Sequence, residues 1–288
     1  MRRDDRKKNM KKRFYTTVAV APYEKEFAVT LDGKPIKTPI GTVLRGSEAL
    51  AKAMAAEWES QAETINPDKM PITRIVSIAR DRVPQDRALL IDDIVNYAGS
   101  DLLCYRAPYS SSPLEGERDV HLHIRGGKEQ KPQPPTETLA RFDSPSGGEL
   151  RDEQESLFTP ILDWAAGQGM ALQATESVMP ITQPEASLAK VREVVSAASD
   201  LELAALAMAT PLLGSAILAL WLWRGHDKGG TINYCVPRVD IVLKAARVDE
   251  DFQAAKWGQD PEAKAQWMKR EVDICGAAVV LAEKLNGD

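Results

Sequence analysis

The chain has 288 residues, 43% of them hydrophobic and 27% charged, a globular composition that excludes a wholly disordered chain, a collagen-like repeat and a polytopic membrane protein. Its length exceeds what one compact core usually takes, so two modest domains are expected. The net charge is −5, but residues 1–13 hold eight basic and two acidic side chains, so the remaining body carries 29 basic against 40 acidic residues, and general nucleic-acid binding is not expected.

Residues 1–12 read as a solvated basic tail. The apolar stretch that follows is too short for a secretory signal, and Asp4 and Asp5 argue against an organelle presequence. Aromatic and β-branched residues over 14–21 and 27–31 predict two strands, the second burying one face through Phe27, Val29 and Leu31. Asp32-Gly33 supplies the positive φ angles of a tight hairpin turn. Pro35, which lacks an N–H, puts the returning strand at an edge. Ser47 caps a helix over 48–62, with Leu50, Met54 and Trp58 in one core-facing stripe. A second helix over 84–97 carries Leu90, Ile94 and Tyr97 on one face.

From 108 to about 150 the chain is rich in Pro, Gly and Ser and has no sustained period, which predicts a flexible insertion over 108–155. His121 and His123 fall in it without further ligands at metal spacing, so no metal site is expected. Ser156 reads as the cap of a helix bearing Leu157, Phe158, Ile161, Leu162 and Trp164. Leu188, Val191, Val194 and Val195 mark another helix. Residues 203–223 are long enough and free enough of charge to span a bilayer on length alone. Pro211, preceded by Thr210, splits them into two buried helices, 203–209 and 212–223, and no stable membrane insertion is expected. After a polar stretch over 224–238, Asp249, Glu250 and Asp251 stand beside Phe252 and Trp257, with Gly258 as a helix stop. This cluster reads either as an amphipathic helix with its acids outward or as a docking face, an aromatic anchor ringed by steering charges. A last helix runs over 261–285, with Pro261 in its first turn and Trp267, Ile274, Ala278, Leu281 and Leu285 inward.

Recognisable chemistry is scarce. There is no phosphate-binding G-x-x-x-x-G-K-[ST] loop, no G-x-G-x-x-G and no G-x-S-x-G elbow. His226 beside Asp227 reads as a solvated loop histidine. Cys104, Cys235 and Cys275 are far apart, form no C-x-x-C, and read as three buried thiols in a reducing compartment. A hydrolase or transferase working through scattered acids is the alternative. It requires a pocket of converging polar groups with a perturbed carboxylate.

Several motifs stand in one order. They are Arg13-Phe14-Tyr15, Leu31 to Pro39 (LDGKPIKTP), Ala56 to Gln61 (AEWESQ), Met70 to Arg74 (MPITR) and Tyr97 to Arg106 (YAGSDLLCYR). Ile161 to Trp164 (ILDW), Gly214-Ser215 and Arg247 to Gly258 follow. This series resembles the assembly factor 2 family of ATP synthase assembly chaperones, over roughly 13–107 and 156–285. The resemblance implies an α+β fold, with a β-rich N-terminal domain with helices (13–107) followed by an all-α C-terminal domain (156–288). It implies a soluble, non-enzymatic chaperone without a cofactor, monomeric and cytoplasmic in a bacterium or, alternatively, in a mitochondrial matrix. Its partner would be the unassembled ATP synthase alpha subunit, protected from aggregation until it pairs with beta. Asp249, Glu250, Asp251 and Trp257 are the expected client-contact residues. Trp58 and Asp101 are family-motif positions expected to serve folding, Trp58 in the core. Leu213 stands where the family tends to carry Thr, and the stretches over 110–150 and 224–238 look like insertions.

Overall fold

The computed structural model describes residues 11–109, 147–225 and 235–283. The expected His121–His123 pair, the His226–Asp227 link, Leu285 and most of the basic tail lie outside them. The first half holds a small antiparallel sheet. Strand β1 (Val18–Tyr23) pairs with β2 (Glu26–Leu31) in a register running from Val18 opposite Leu31 to Tyr23 opposite Glu26. The other edge of β2 is shared by two short strands, β3 (Lys34–Pro35) and β4 (Arg45–Gly46). Asp32 and Gly33 form the β2–β3 turn at φ 47° and 80°, the positive pair that matches a two-residue hairpin to the strand twist. The Asp32 carboxylate accepts bonds from the Thr17 N–H at 2.8 Å and from the Thr16 N–H and hydroxyl, which lowers its pKa and ties the turn to the start of β1. Strand β2 departs from the expected one-sided burial. Ala28, Val29, Thr30 and Leu31 are all buried, because β2 is the central strand and is covered on both faces.

Helix α1 (Glu48–Glu59) packs on this sheet. Ser47 accepts from the Leu50 N–H as its cap, and Leu50 and Met54 are buried. Helix α2 (Pro71–Asp81) was not legible as an element, since its motif reads only as a short Pro-led segment. Its first N–H groups are closed by Glu57. The Ile72 N–H donates to Glu57 Oε1 at 2.7 Å, and the Thr73 N–H and hydroxyl donate to Oε2 at 2.8 and 2.7 Å. Helix α3 (Val83–Gly99) buries Leu90 and Ile94 as expected, whereas Tyr97 is 37% exposed.

Helix α4 (Gly147–Gly167) starts well before Ser156. Ser156 lies inside it and donates its hydroxyl to the Glu153 carbonyl, so it is not a cap, and the expected flexible insertion ends earlier than 155. Helices α5 (Glu185–Ser196), α6 (Asp200–Leu213), α7 (Ala216–Arg224), α8 (Cys235–Ala245), α9 (Val248–Trp257) and α10 (Pro261–Glu283) follow. The expected break at Pro211 falls one turn later. Pro211 is exposed on α6 and forgoes only its bond to the Ala207 carbonyl, while the helix ends at Gly214, whose φ of 65° an L side chain rarely adopts. Ser215 then caps α7 by accepting from the Leu218 N–H at 2.9 Å. No helix among the described residues is long and apolar enough to cross a membrane.

Helix α6 is buried on nearly every side, through Leu203, Ala204, Ala205, Leu206, Ala209, Thr210 and Leu213. Helices α2 and α3 of the first half and α7 and α10 of the second pack on it, so the buried residues of both halves form one continuous core. Helix α10 crosses α2 closely: a Cβ at Gly276 would come within 2.5 Å of the Pro71 ring. Of the thiols, Cys104 is buried, but Cys275 is exposed on α10, against the expectation of three buried cysteines. The described chain is thus α+β, a small sheet with helices followed by a helical half. Glu57→Ala leaves the first N–H groups of α2 without acceptors. It should lower the denaturant-unfolding free energy by about 2 kcal/mol, with Glu57→Gln losing less.

Candidate functional site

The acidic-aromatic segment folds as helix α9. Its three acids fall in the first turn, where the N–H groups and the helix dipole favour negative charge. They differ in engagement. Asp249 is half-buried and accepts from the Gln154 side chain of α4 at 2.7 Å. Asp251 is exposed and pairs with Arg247 at 2.5 Å. Glu250 is exposed and has no ion-pair partner among the described residues. Arg247 also lies over the Trp267 ring at 4.8 Å, joining the start of α9 to α10.

The aromatics separate in the same way. Phe252 is half-buried, with Lys256 one turn on, its Nζ 4.4 Å from the ring centroid and 2.7 Å from Glu149 of α4. Trp257 closes the helix and stays 64% exposed. Gly258, at φ 87°, ends α9, and Asp260 accepts from the Glu262 and Ala263 N–H groups to start α10. Three of the four expected contact residues, Glu250, Asp251 and Trp257, therefore stand at the surface of one helix, and Asp249 anchors that helix to α4. The aromatic pair does not turn inward together, since only Phe252 does.

Trp58 and Asp101 are not part of this face. Trp58 is half-buried beside Tyr15, ring centroids 5.7 Å apart, and its carbonyl accepts the Tyr15 hydroxyl at 2.7 Å. Its Nε1–H is buried without an acceptor among the described residues. Asp101 is fully buried. Its Oδ1 accepts from the Leu103 N–H at 3.1 Å, and its Oδ2 accepts from the Ile217 N–H at 3.0 Å in the first turn of α7. The Leu102 N–H donates to the Gly214 carbonyl at 3.1 Å, so this motif clamps the α6–α7 joint. A small cavity of about 170 Å³ lies between the joint and α9, bordered by Leu102, Gly214, Asp249 and Glu250.

The perturbed carboxylates that an enzyme reading requires are committed elsewhere. Burial pushes up the pKa of Glu57, Asp273 and Glu283 and raises that of Asp101 to about 6. Glu57 caps α2, Asp101 serves the α7 start, Asp273 pairs with Arg74, and Glu283 accepts from the Leu50 N–H of α1 through Oε1, while its Oε2 is buried without a partner among the described residues. Sequence reasoning missed Arg106 and Gln154. Arg106 is buried over the Phe158 ring at 4.6 Å and donates to the Gln154 carbonyl, while the Gln154 side chain bridges Ala107 and Asp249. No periodicity marks such a residue; only the meeting of α4 and α9 does. Among the described residues no three His, Cys, Asp or Glu side chains cluster as a metal site.

The family profile described as ATP12 chaperone protein matches residues 12–166. A curated relative, the mitochondrial protein atp12 of Schizosaccharomyces pombe, is 26% identical over 118 residues, 38% of this chain and 40% of that protein, so the match spans well under half of the relative's length. Among solved structures, the Atu1473 protein of Agrobacterium tumefaciens is 32% identical with a TM-score of 0.72, covering 94% of this chain and 85% of that one. Atp12 from Paracoccus denitrificans is 29% identical with a TM-score of 0.69, covering 94% and 97%.

The raised pKa of Asp101 has a definite sign. The folded state holds a proton that the unfolded chain releases near pH 3.8, so this contribution to stability is full below about 3.8 and is lost as pH rises through about 6. Asp101→Asn lacks that contribution and turns amide donors toward backbone N–H groups. It should be less stable by about 1–3 kcal/mol, and its deficit against the parent chain should widen as unfolding is measured from pH 7 down to pH 4.

Proposed function

The chain belongs to the ATP12 chaperone family, and from that premise we propose that it is a non-catalytic assembly chaperone of ATP synthase. It holds the unassembled alpha subunit until that subunit pairs with beta. An unassembled subunit of a tight oligomer exposes apolar interface and tends to aggregate, and a partner that covers it reversibly prevents this. The single observation that supports the reading is helix α9: a 64% exposed tryptophan on the same short helix as two exposed carboxylates, Glu250 and Asp251. Exposed Trp beside charge suits a contact surface, where the ring supplies buried area and the acids steer a basic face of the client. Asp249 serves that face indirectly, by holding α9 on α4.

On this reading the protein acts as a monomer, without cofactor, in a bacterial cytoplasm, with the mitochondrial matrix as the alternative setting. The buried carboxylates of Glu57, Asp101 and Asp273 support a role without catalysis, because each is spent on a helix end or on Arg74. The test dilutes isolated alpha subunit from denaturant with and without the protein, and follows it by light scattering and size exclusion, with beta as the control client. Selective protection of alpha and a co-eluting complex are expected; no protection and no complex would overturn the reading. Glu250→Gln and Trp257→Ala should each reduce protection while changing unfolding free energy by less than about 1 kcal/mol, since both positions are exposed and the glutamine loses only the favourable charge at the helix start. A large stability loss would make the cluster structural.

A further inference from the structure

Three segments of the first half that carry the family resemblance meet at a place α9 does not touch. Residues of RFY (13–15), of LDGKPIK (31–37) and Trp58 line one open cleft of about 960 Å³, beside the turn of 3₁₀ helix at Pro67–Lys69. Its floor is aromatic and apolar. Tyr15 and Ile36 are buried, Phe14 stands 68% exposed at the rim, and the Phe14 and Tyr15 rings meet edge-on at 5.5 Å. Such a floor suits a bulky apolar side chain.

Cationic side chains outnumber acidic ones around this floor. Lys11, Lys34 and Lys37 border the cleft, are exposed, and pair with no carboxylate among the described residues. Of the two acids that also border it, only Asp68 has its charge offset by a cation, so three ammonium groups face one ionised carboxylate, Asp32. Asp32 accepts from Thr16 and Thr17, and Asp68 pairs with Lys269 at 2.6 Å. A low-dielectric wall beside unpaired ammonium groups focuses a positive potential. It stands on a chain whose net charge is −5, so the cleft departs in sign from the molecule around it.

We propose that this cleft takes an extended acidic segment of the client polypeptide. A bulky apolar side chain of that segment seats on the aromatic floor, and flanking carboxylates meet Lys34 and Lys37. That the client is a subunit awaiting assembly rests on the reading above; the chemistry of the cleft does not. The holding protein would then grip its client at two places of opposite charge, the acidic α9 and this cationic cleft. Two weak grips that must engage together give selectivity without irreversible binding.

The test titrates the full chain into a fluorescein-labelled peptide, Asp-Glu-Phe-Leu-Glu-Asp, and into its basic counterpart, Lys-Arg-Phe-Leu-Arg-Lys, by fluorescence anisotropy. The acidic peptide should bind and weaken with added salt, and the basic one should not bind. The double variant Lys34→Glu, Lys37→Glu should bind the acidic peptide about tenfold or more weakly, at an unchanged thermal midpoint. Phe14→Ala should weaken binding without altering its salt dependence. No binding of the acidic peptide up to about 1 mM, or equal binding by the double variant, would overturn the proposal. So would concentration-dependent self-association that the double variant abolishes, since that assigns the cleft to the acidic face of a second copy. The peptide arm needs no alpha subunit. If alpha protection fails while the acidic peptide still binds, the client's identity falls and the cleft stands. If the double variant loses the peptide but protects alpha undiminished, the cleft does not hold the client and the proposal falls.

Discussion

Everything in this molecule is arranged around the covering of helix α6. Its residues are apolar almost all round, and an apolar cylinder of that kind must be enclosed by neighbours. Short side chains, Ala204, Ala205 and Ala209, let the surrounding helices approach. Those neighbours come from both halves of the sequence, α2 and α3 on one side and α7 and α10 on the other. The sheet and α1 are joined to this centre through α2, and α10 adds a second tie, since Glu283 near its end accepts from the first turn of α1. Loosening α6 would therefore loosen the frame that presents both surface features described above.

Buried carboxylates do the joining. Glu57, Asp101 and Glu283 each sit at the start of a helix from another part of the chain, where N–H groups lack intrahelical partners. A carboxylate there satisfies orphan donors and meets the positive end of the helix dipole, which offsets part of its desolvation cost. The same residues are the ones whose acidity burial weakens. A perturbed carboxylate is often taken as a sign of catalysis; here its bonds account for it as a fastening between elements.

The surface is divided more sharply than the overall charge suggests. Helix α9 presents exposed Glu250, Asp251 and Trp257, and the cleft beside the β2–β3 turn presents unpaired lysines over aromatic rings. Both combine a bulky apolar group with a predominance of one sign of charge, and both sit on elements fixed by the core. Under the proposed reading, such a division suits a protein that must hold a client and then surrender it. Peripheral charge governs encounter and register, while modest apolar burial keeps the complex displaceable.

The local elements were largely legible. The positive φ pair at Asp32-Gly33, the Ser47 cap, the stripe of Leu50 and Met54, the Gly258 stop and the motif series that resembles the family all depend on neighbours in sequence. Where a local rule was weak it misled. Pro211 is a helix breaker by rule, yet near a helix end it removes one hydrogen bond and leaves the helix intact. Ser156 has the chemistry of a cap but lies mid-helix. Of the candidate site, the sequence by itself determined that acids and aromatics share one short helix, because that follows from spacing at 3.6 residues per turn. Only the tertiary structure decided that Phe252 turns inward while Trp257 stays out, that Asp249 is held by Gln154, and that Phe14, Trp58 and Lys34 share a cleft. Exposure and distant contact depend on which elements pack together, and packing is a property of the whole core that no local spacing encodes.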